Sequence, residues 1–458
     1  MIAKDVRERL AIILPLTFAF FLAWSFRLFG FRDAVLSVLT GTAPANVIPS
    51  PVSEAAFIQQ AVLVEFPAPI DYSPIQEVCG RTPFRPGLVF TCEGQHGGIG
   101  MLRNQMLKCI RYAIHGGGAL VVPSIALRNS KDLKDIETAI EMPLEYLLER
   151  ETFKKYLTAG CPQMKIYDHV EDVPFYSQRQ GQPLQLLGDQ FEPDHPRTGL
   201  RHPRAWRQNF DGWLAKQDIH LQSERPVHIQ MEQSFLEYPV RDDGDAFVHE
   251  FGKILSFRKD TRELAAKVLY ELRTRFDLPI DPAVAINPGA YYGAHLRLES
   301  DAIWAWPPSE WRFSRMHDQF EEQYRNVKRT GLRTVYVASG NQTVVYMFAD
   351  YLAKKLGSDV RVVTKQDLLQ PDDMQRLAAM TFDQQALVDF MVMFKASAFM
   401  GVAHSSFPWN VALRRHELSR YAAYANEGSD LLRDEYSIIM GMAADYPYVD
   451  SFVTSIWP

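Results

Sequence analysis

The strongest constraint in this chain is an alternation of short apolar runs with stretches of helical period. Gly87 to Thr91 (GLVFT) reads as a buried strand and is followed by the glycine-rich turn GQHGGIG at 94–100. Met101 to Ile114 then places apolar residues three and four apart, the period of a helix face. Gly116-Gly117-Gly118 ends it, and Ala119 to Pro123 (ALVVP) is a second buried strand. After Pro279 the pattern returns. Strands are expected at 292–297, 334–339, 361–364 and 398–402. Helices are expected at 310–329, 343–356 and 383–397, with another starting at 408. Strands that alternate with helices and are apolar on both faces belong in parallel sheets with helices packed on either side. We therefore expect an α/β chain of two Rossmann-like domains, 79–280 and 281–458, with parallel sheets facing a cleft. A further helix is expected over 260–276, and the region from about 128 to 245 is less regular.

The N-terminus bears on location. Leu10 to Phe26 carries no charged residue, and at ~1.5 Å per residue it spans about 26 Å, slightly less than a hydrocarbon core. Extending it through Arg27 to Phe31 makes it long enough, because an arginine near the end can snorkel. No small-residue cleavage site follows closely, so a signal-anchor at 10–31 is expected rather than a cleaved signal peptide or a core helix. Residues 1–9 would form a cytosolic tail. The Pro-, Ala-, Ser- and Val-rich stretch 32–78 would be a stem. The implied topology is single-pass type II, with the catalytic region lumenal in the Golgi or endoplasmic reticulum membrane.

Charge and cysteines narrow the function. With 49 Lys and Arg against 55 Asp and Glu, the formal charge is −6, which argues against a nucleic-acid partner. Cys79, Cys92, Cys109 and Cys161 form no CxxC pair and lack zinc-type spacing to histidine. In an oxidising lumen they can form two disulfides, with three connectivities open. The sequon at Asn341 follows a predicted strand, where it can stay unmodified.

Three segments carry candidate chemistry. The glycine turn opens a helix, so its backbone can approach a ligand closely and its free N–H groups favour an anion. Gly98, Gly100, Arg103 and Asn104 are the candidates there. His295-Leu296-Arg297 sits at a strand end. Alternation puts His295 and Arg297 on one face, at the sheet edge where such folds bind ligands. The Arg297 guanidinium suits a phosphate, and Glu299 and Asp301 are placed to orient it. Ser405, Ser406 and Phe407 lie in a strand-to-helix turn where hydroxyls and N–H groups can hold phosphate oxygens. Asp389 falls on the preceding helix. Two other motifs are set aside. His115 with Gly116–Gly118 is similar to an esterase oxyanion loop, but no GxSxG is present. Asp243-Gly244-Asp245 has the DxD spacing of metal-dependent transferases but lies in a charged loop, so no metal is expected.

Together these segments resemble the GDP-fucose O-fucosyltransferase superfamily, in particular its fungal membrane-anchored branch. The resembling stretches are 87–114, 119–129, 293–302, 335–341 and 383–415, with the closing DSFVTSIWP at 450–458 also similar. The resemblance implies a GT-B-like fold without an essential metal or cofactor. It implies an acceptor side in the first domain and a nucleotide-sugar side in the second. It implies that Arg297 neutralises the β-phosphate as GDP leaves, that His295 contacts the nucleotide and that Asn104 reaches phosphate or sugar. It further implies that Asp389 reads guanine and that Ser405, Ser406 and Phe407 hold phosphates and base. Met101 departs from it, standing where a polar residue is expected. Glu93 is near enough in sequence to be named as a base. The expected activity is inverting transfer, with GDP-fucose as donor substrate and a protein or glycan hydroxyl as acceptor. The alternative is an inactive lumenal protein that binds a nucleotide sugar or glycan on the same fold.

Overall fold

The computed structural model describes residues 53–63, 69–136, 138–176, 182–193, 199–217, 219–233, 238–419, 433–441 and 455–458. The expected tail, the anchor at 10–31 and most of the stem lie outside these residues. Among the described residues no helix is long and apolar enough to cross a membrane.

The first half of the chain contains α1 (Glu54–Leu63), α2 (Ser73–Arg81), β1 (Leu88–Cys92), α3 (Ile99–Gly116), β2 (Ala119–Val121), β3 (Ile125–Ala126), β4 (Glu141–Met142), α4 (Arg150–Gly160), β5 (Ile166–Tyr167), β6 (Leu184–Leu186), α5 (Pro203–Lys216), β7 (Val227–Met231), α6 (Asp245–Phe251) and α7 (Lys259–Phe276). Strands β5-β2-β1-β7-β6 form a sheet in that order, all parallel. The second half contains β8 (Tyr292–His295), α8 (Ser300–Ala305), α9 (Met316–Thr330), β9 (Thr334–Ala338), α10 (Gln342–Leu356), β10 (Arg361–Val363), α11 (Lys365–Leu368), α12 (Pro371–Ala378), α13 (Phe382–Lys395), β11 (Ala398–Val402), α14 (Ser406–His416) and β12 (Ser437–Met440). Its sheet runs β10-β9-β8-β11-β12, again all parallel. The α/β class with parallel sheets is thus as expected. Central strands β8, β9 and β11 are buried along their whole length, as expected of parallel strands covered on both faces.

Local signals set the element ends. Gly117 takes φ 64° as the C-cap of α3, a left-handed conformation that costs glycine little. Asn341 caps α10 by accepting from Val344 N–H at 3.3 Å, so the sequon asparagine is already engaged. Thr381 and Gln384 form a capping box at the start of α13.

The stem reading must be corrected at its C-terminal end. Helices α1 and α2 belong to the folded body. Phe57 is fully buried and packs edge-on against Tyr270 of α7. Ile75 and Cys79 of α2 are equally buried. Composition alone misled here, because each helix buries only one or two residues and needs a partner surface to become stable. The last residues also return to the first half. Trp457 packs on Tyr238 and Phe251 with ring centroids at 5.0 and 5.3 Å.

The cysteines pair as Cys79–Cys161 and Cys92–Cys109. The first ties α2 to the end of α4. The second joins the end of β1 to α3, so it brackets the glycine turn between them. With sequence separations of 82 and 17, loop-closure entropy assigns about 4.5 and about 3 kcal/mol of stabilisation, respectively. We expect paired Cys→Ser variants to lower the thermal midpoint by several degrees each, the Cys79/Cys161 pair more. Midpoints equal to that of the parent chain would contradict this.

Candidate functional site

In the second sheet β8 is central. The chain runs outward through β9 and β10 on one side and β11 and β12 on the other. The carboxyl ends of β8 and β11 therefore flank a topological switch point, where open α/β sheets bind ligands. A cavity of about 350 Å³ opens there. His295, Arg297 and Ser405–Phe407 line it from the second half, and Gly97–Met101 and Arg128 from the first.

Arg297 lies just beyond β8 and is held at both ends. Its backbone N–H donates to Gln319 Oε1, and its carbonyl accepts from Gln319 Nε2, each at 3.1 Å. Its guanidinium donates to Glu299 at 2.7 Å and pairs with both oxygens of Asp301. Burial opposes its charge, but the two carboxylates outweigh that and raise its pKa. Glu299 also accepts from Gly340 N–H at 2.6 Å and Ser339 Oγ at 3.1 Å, tying the site to the β9–α10 turn. Burial disfavours the Glu299 anion, yet Arg297 first and the Gly340 N–H after it hold its pKa below the ordinary value.

Two helix N-termini converge on the cavity. Gly98 caps α3 and Ser405 caps α14, neither with a side-chain hydrogen bond. Their N–H groups thus point outward with the positive ends of both dipoles. Gly97 takes φ 104° in the turn that aims α3. Gly100 is required by proximity: a Cβ there would sit 2.6 Å from the backbone of Ser406. Asn410 Nδ2 adds a bond to the Gly100 carbonyl at 3.3 Å.

The rest of the lining mixes rings and carboxylates. His295 stacks on Phe407, with centroids 5.0 Å apart and planes 11° from parallel. Burial, then Arg297 and His404, push its pKa far down, so the ring is neutral, and its Nδ1 has no partner among the described residues. His404 is pushed to about 3, by burial first and Arg297 second. Its Nδ1 accepts from Trp311 Nε1 at 2.8 Å, which leaves the proton of the neutral ring on Nε2. Asp389 accepts from Tyr336 Oη at 2.7 Å and Lys365 Nζ at 2.5 Å. Burial raises its pKa despite these partners. Asp383 is buried and raised to about 6, by burial first, with Arg128 and Arg297 opposing.

Of the candidates read from sequence, the cavity gathers Gly98, Gly100, His295, Arg297, Asp389, Ser405, Ser406 and Phe407. Three lie elsewhere. Arg103 is a strut, donating to Gly252 O at 2.9 Å, Pro458 O at 2.6 Å, Trp457 O and Asn410 Oδ1. It fell a turn past the N-terminus of α3, on the face turned to the C-terminal residues. Asn104 is buried beside it, with Oδ1 unpartnered among the described residues, and does not line the cavity. Glu93 lines a neighbouring cavity of about 860 Å³ and accepts from Gln233 N–H at 3.2 Å. It is separated from Arg297 because the turn carries the chain onward before α3 begins.

Asp243 does not form a DxD metal pair. Arg111 grips its carboxylate through Nε and Nη2, at 3.0 and 2.6 Å to Oδ1, and Tyr238 and Trp457 donate to it as well. Among the described residues no cluster of His, Cys, Asp or Glu could hold a metal ion. Sequence reading missed Arg128, Gln319, Lys365, Asp383 and His404. Of these, Arg128, Asp383 and His404 stood in stretches already singled out, 119–129 and 383–415, without being named there as site residues.

A search of curated sequences finds no match. Similar solved structures include POFUT1 in complex with GDP, at 16% identity, covering 78% of this chain and all of that one, with TM-score 0.46. They also include NodZ α-1,6-fucosyltransferase co-crystallised with GDP, at 14% identity over 70% of this chain and 90% of that one, TM-score 0.36. Arabidopsis thaliana FUT1, as a mutant in complex with GDP, matches at 12% identity over 82% and 80%, TM-score 0.35. The family model for GDP-fucose protein O-fucosyltransferase matches residues 88–418, a span that contains both sheets up to α14 and the whole cavity lining. This chain belongs to the GDP-fucose protein O-fucosyltransferase family.

Proposed function

We propose that the chain is an inverting fucosyltransferase that uses GDP-fucose as donor and a protein or glycan hydroxyl as acceptor, without a metal or other cofactor. The observation that carries this reading is the meeting of the Arg297 guanidinium with two uncapped helix N-termini in one cavity. The acceptor oxygen attacks the anomeric carbon as the bond from that carbon to the diphosphate breaks. Fucose is transferred, GDP departs with the bonding electrons, and the hydroxyl proton is released to water. Negative charge grows on the β-phosphate. Preorganised donors stabilise it without reorganising at the moment of reaction. In this scheme Arg297 and the amides of 98–100 and 406–407 receive the diphosphate, while His295, Phe407 and Asp389 take the nucleoside. Both disulfides fit an oxidising compartment, which supports a lumenal address.

The test is GDP release from GDP-fucose in the presence of acceptor, with EDTA added. Release that survives EDTA is the expected result. Donor binding with no release under any acceptor would favour the inactive binding protein instead. Arg297→Ala should reduce turnover about 10²- to 10³-fold while a cooperative melting transition is retained. Unchanged turnover would remove Arg297 from the mechanism.

Asp383 adds a pH signature. Its folded pKa, about 6, lies above the ordinary carboxylate value. Its contribution to stability is therefore present below pH ~4 and lost as pH rises through about 6. A diphosphate bound nearby raises that pKa further, so binding takes up a proton. GDP-fucose, whose diphosphate is esterified at both ends, should bind more tightly as pH falls from about 7.5 to 5. Asp383→Asn should flatten the dependence. An affinity for the parent chain that is independent of pH over this range would contradict the assignment.

A further inference from the structure

We propose that Arg128 is a second diphosphate-binding guanidinium, supplied by the half of the chain opposite Arg297. The inference rests on the reading that the cavity takes a nucleoside diphosphate.

Arg128 lies in the excursion between β3 and β4, and its side chain is 6% exposed. Three contacts fix it. Leu133 O accepts from its Nε and Nη2 at 3.1 and 2.7 Å. Asp301 Oδ2 accepts from Nη2 at 2.7 Å. The Phe382 ring lies 5.5 Å from its central carbon. Its Nη1 makes no hydrogen bond to the described residues. The carboxylate nearest to Nη1 is Asp383, at 3.7 Å.

That edge, ion-paired with Asp383 but without a hydrogen bond among the described residues, faces the start of α3. Nη1 lies 3.6 Å from where a Cβ on Gly98 would be. A guanidinium at the N-terminus of a helix has the wrong sign for the dipole. Burying it there makes electrostatic sense when an anion is bound between the two. Asp301 supplies part of the compensation, and it is the same carboxylate that pairs with Arg297. One carboxylate thus holds two guanidinium groups side by side, one from each half of the chain. A donor esterified at both ends of its diphosphate carries one negative charge on each phosphate. Two adjacent guanidinium groups match it in charge, and the bound donor would bridge the halves.

The experiment compares GDP and guanosine binding by the intact chain and by Arg128→Ala and Arg128→Gln, at one pH and one ionic strength. Gln retains a donor toward Leu133 O without the charge, and carries the test if the Ala variant fails to fold. Loss of one charge-assisted contact predicts that GDP affinity falls about 10- to 100-fold and that guanosine affinity is unchanged. Arg128→Lys should recover part of the loss, since it restores charge but not the planar fork. GDP binding equal to that of the parent chain would overturn the proposal. So would equal proportional losses for GDP and guanosine, which would make Arg128 a structural residue. If the parent chain binds no GDP, the cavity assignment itself fails and this inference with it.

Discussion

Everything at the site depends on how closely α3 approaches α14. Gly100 lets the first turn of one helix lie against Ser406 at the start of the other. Any side chain at position 100 would push them apart. Two positive helix ends brought this close are unfavourable on their own. The charged groups around them make the arrangement tolerable and useful. Arg297, Arg128 and Lys365 are interleaved with Glu299, Asp301, Asp383 and Asp389, all on the walls of one cavity. The guanidinium groups of Arg297 and Arg128 are already oriented by Glu299 and Asp301.

The surrounding fold keeps those groups in place by means remote from the chemistry. The Cys92–Cys109 disulfide joins the end of β1 to the middle of α3, so the turn between them is held at both ends. Arg103 draws the C-terminal residues against α3 and α14. Gln319, on a helix behind the sheet, clamps both backbone groups of Arg297. Each contact orients a group it does not resemble chemically. None of them is suggested by the motif it serves.

Much of the site was legible before the structure was known. His295 ends β8 and Arg297 lies two residues beyond it, and both line the cavity. Gly98 and Gly100 open a helix, and Ser405 to Phe407 open another. These are local patterns, readable because strand and helix periods are local. Arg103 and Asn104 show where such reading fails. They follow the same glycine turn, but lie one turn farther along α3, where Arg103 reaches the C-terminal residues instead of the cavity and Asn104 is buried beside it. Glu93 shows the converse, since five residues of turn are enough to carry it into a different cavity. The α1 and α2 segments read as stem because the stretch 32–78 around them is rich in Pro, Ala, Ser and Val. Their helical state depends on the surface of α7 and on a bond to Cys161.

The amino-acid sequence by itself determined the alternation of strands and helices, the parallel character of both sheets and the family. Those follow from periodicity and from motifs that need only their own neighbours. Only the tertiary structure decided which cysteines pair, that Asp243 belongs to Arg111, and that Arg128 shares Asp301 with Arg297. Residues 128 and 297 are far apart along the chain, and no period connects them. Their meeting is set by how the two halves pack, through the near-contact at Gly100 that leaves no room for a side chain.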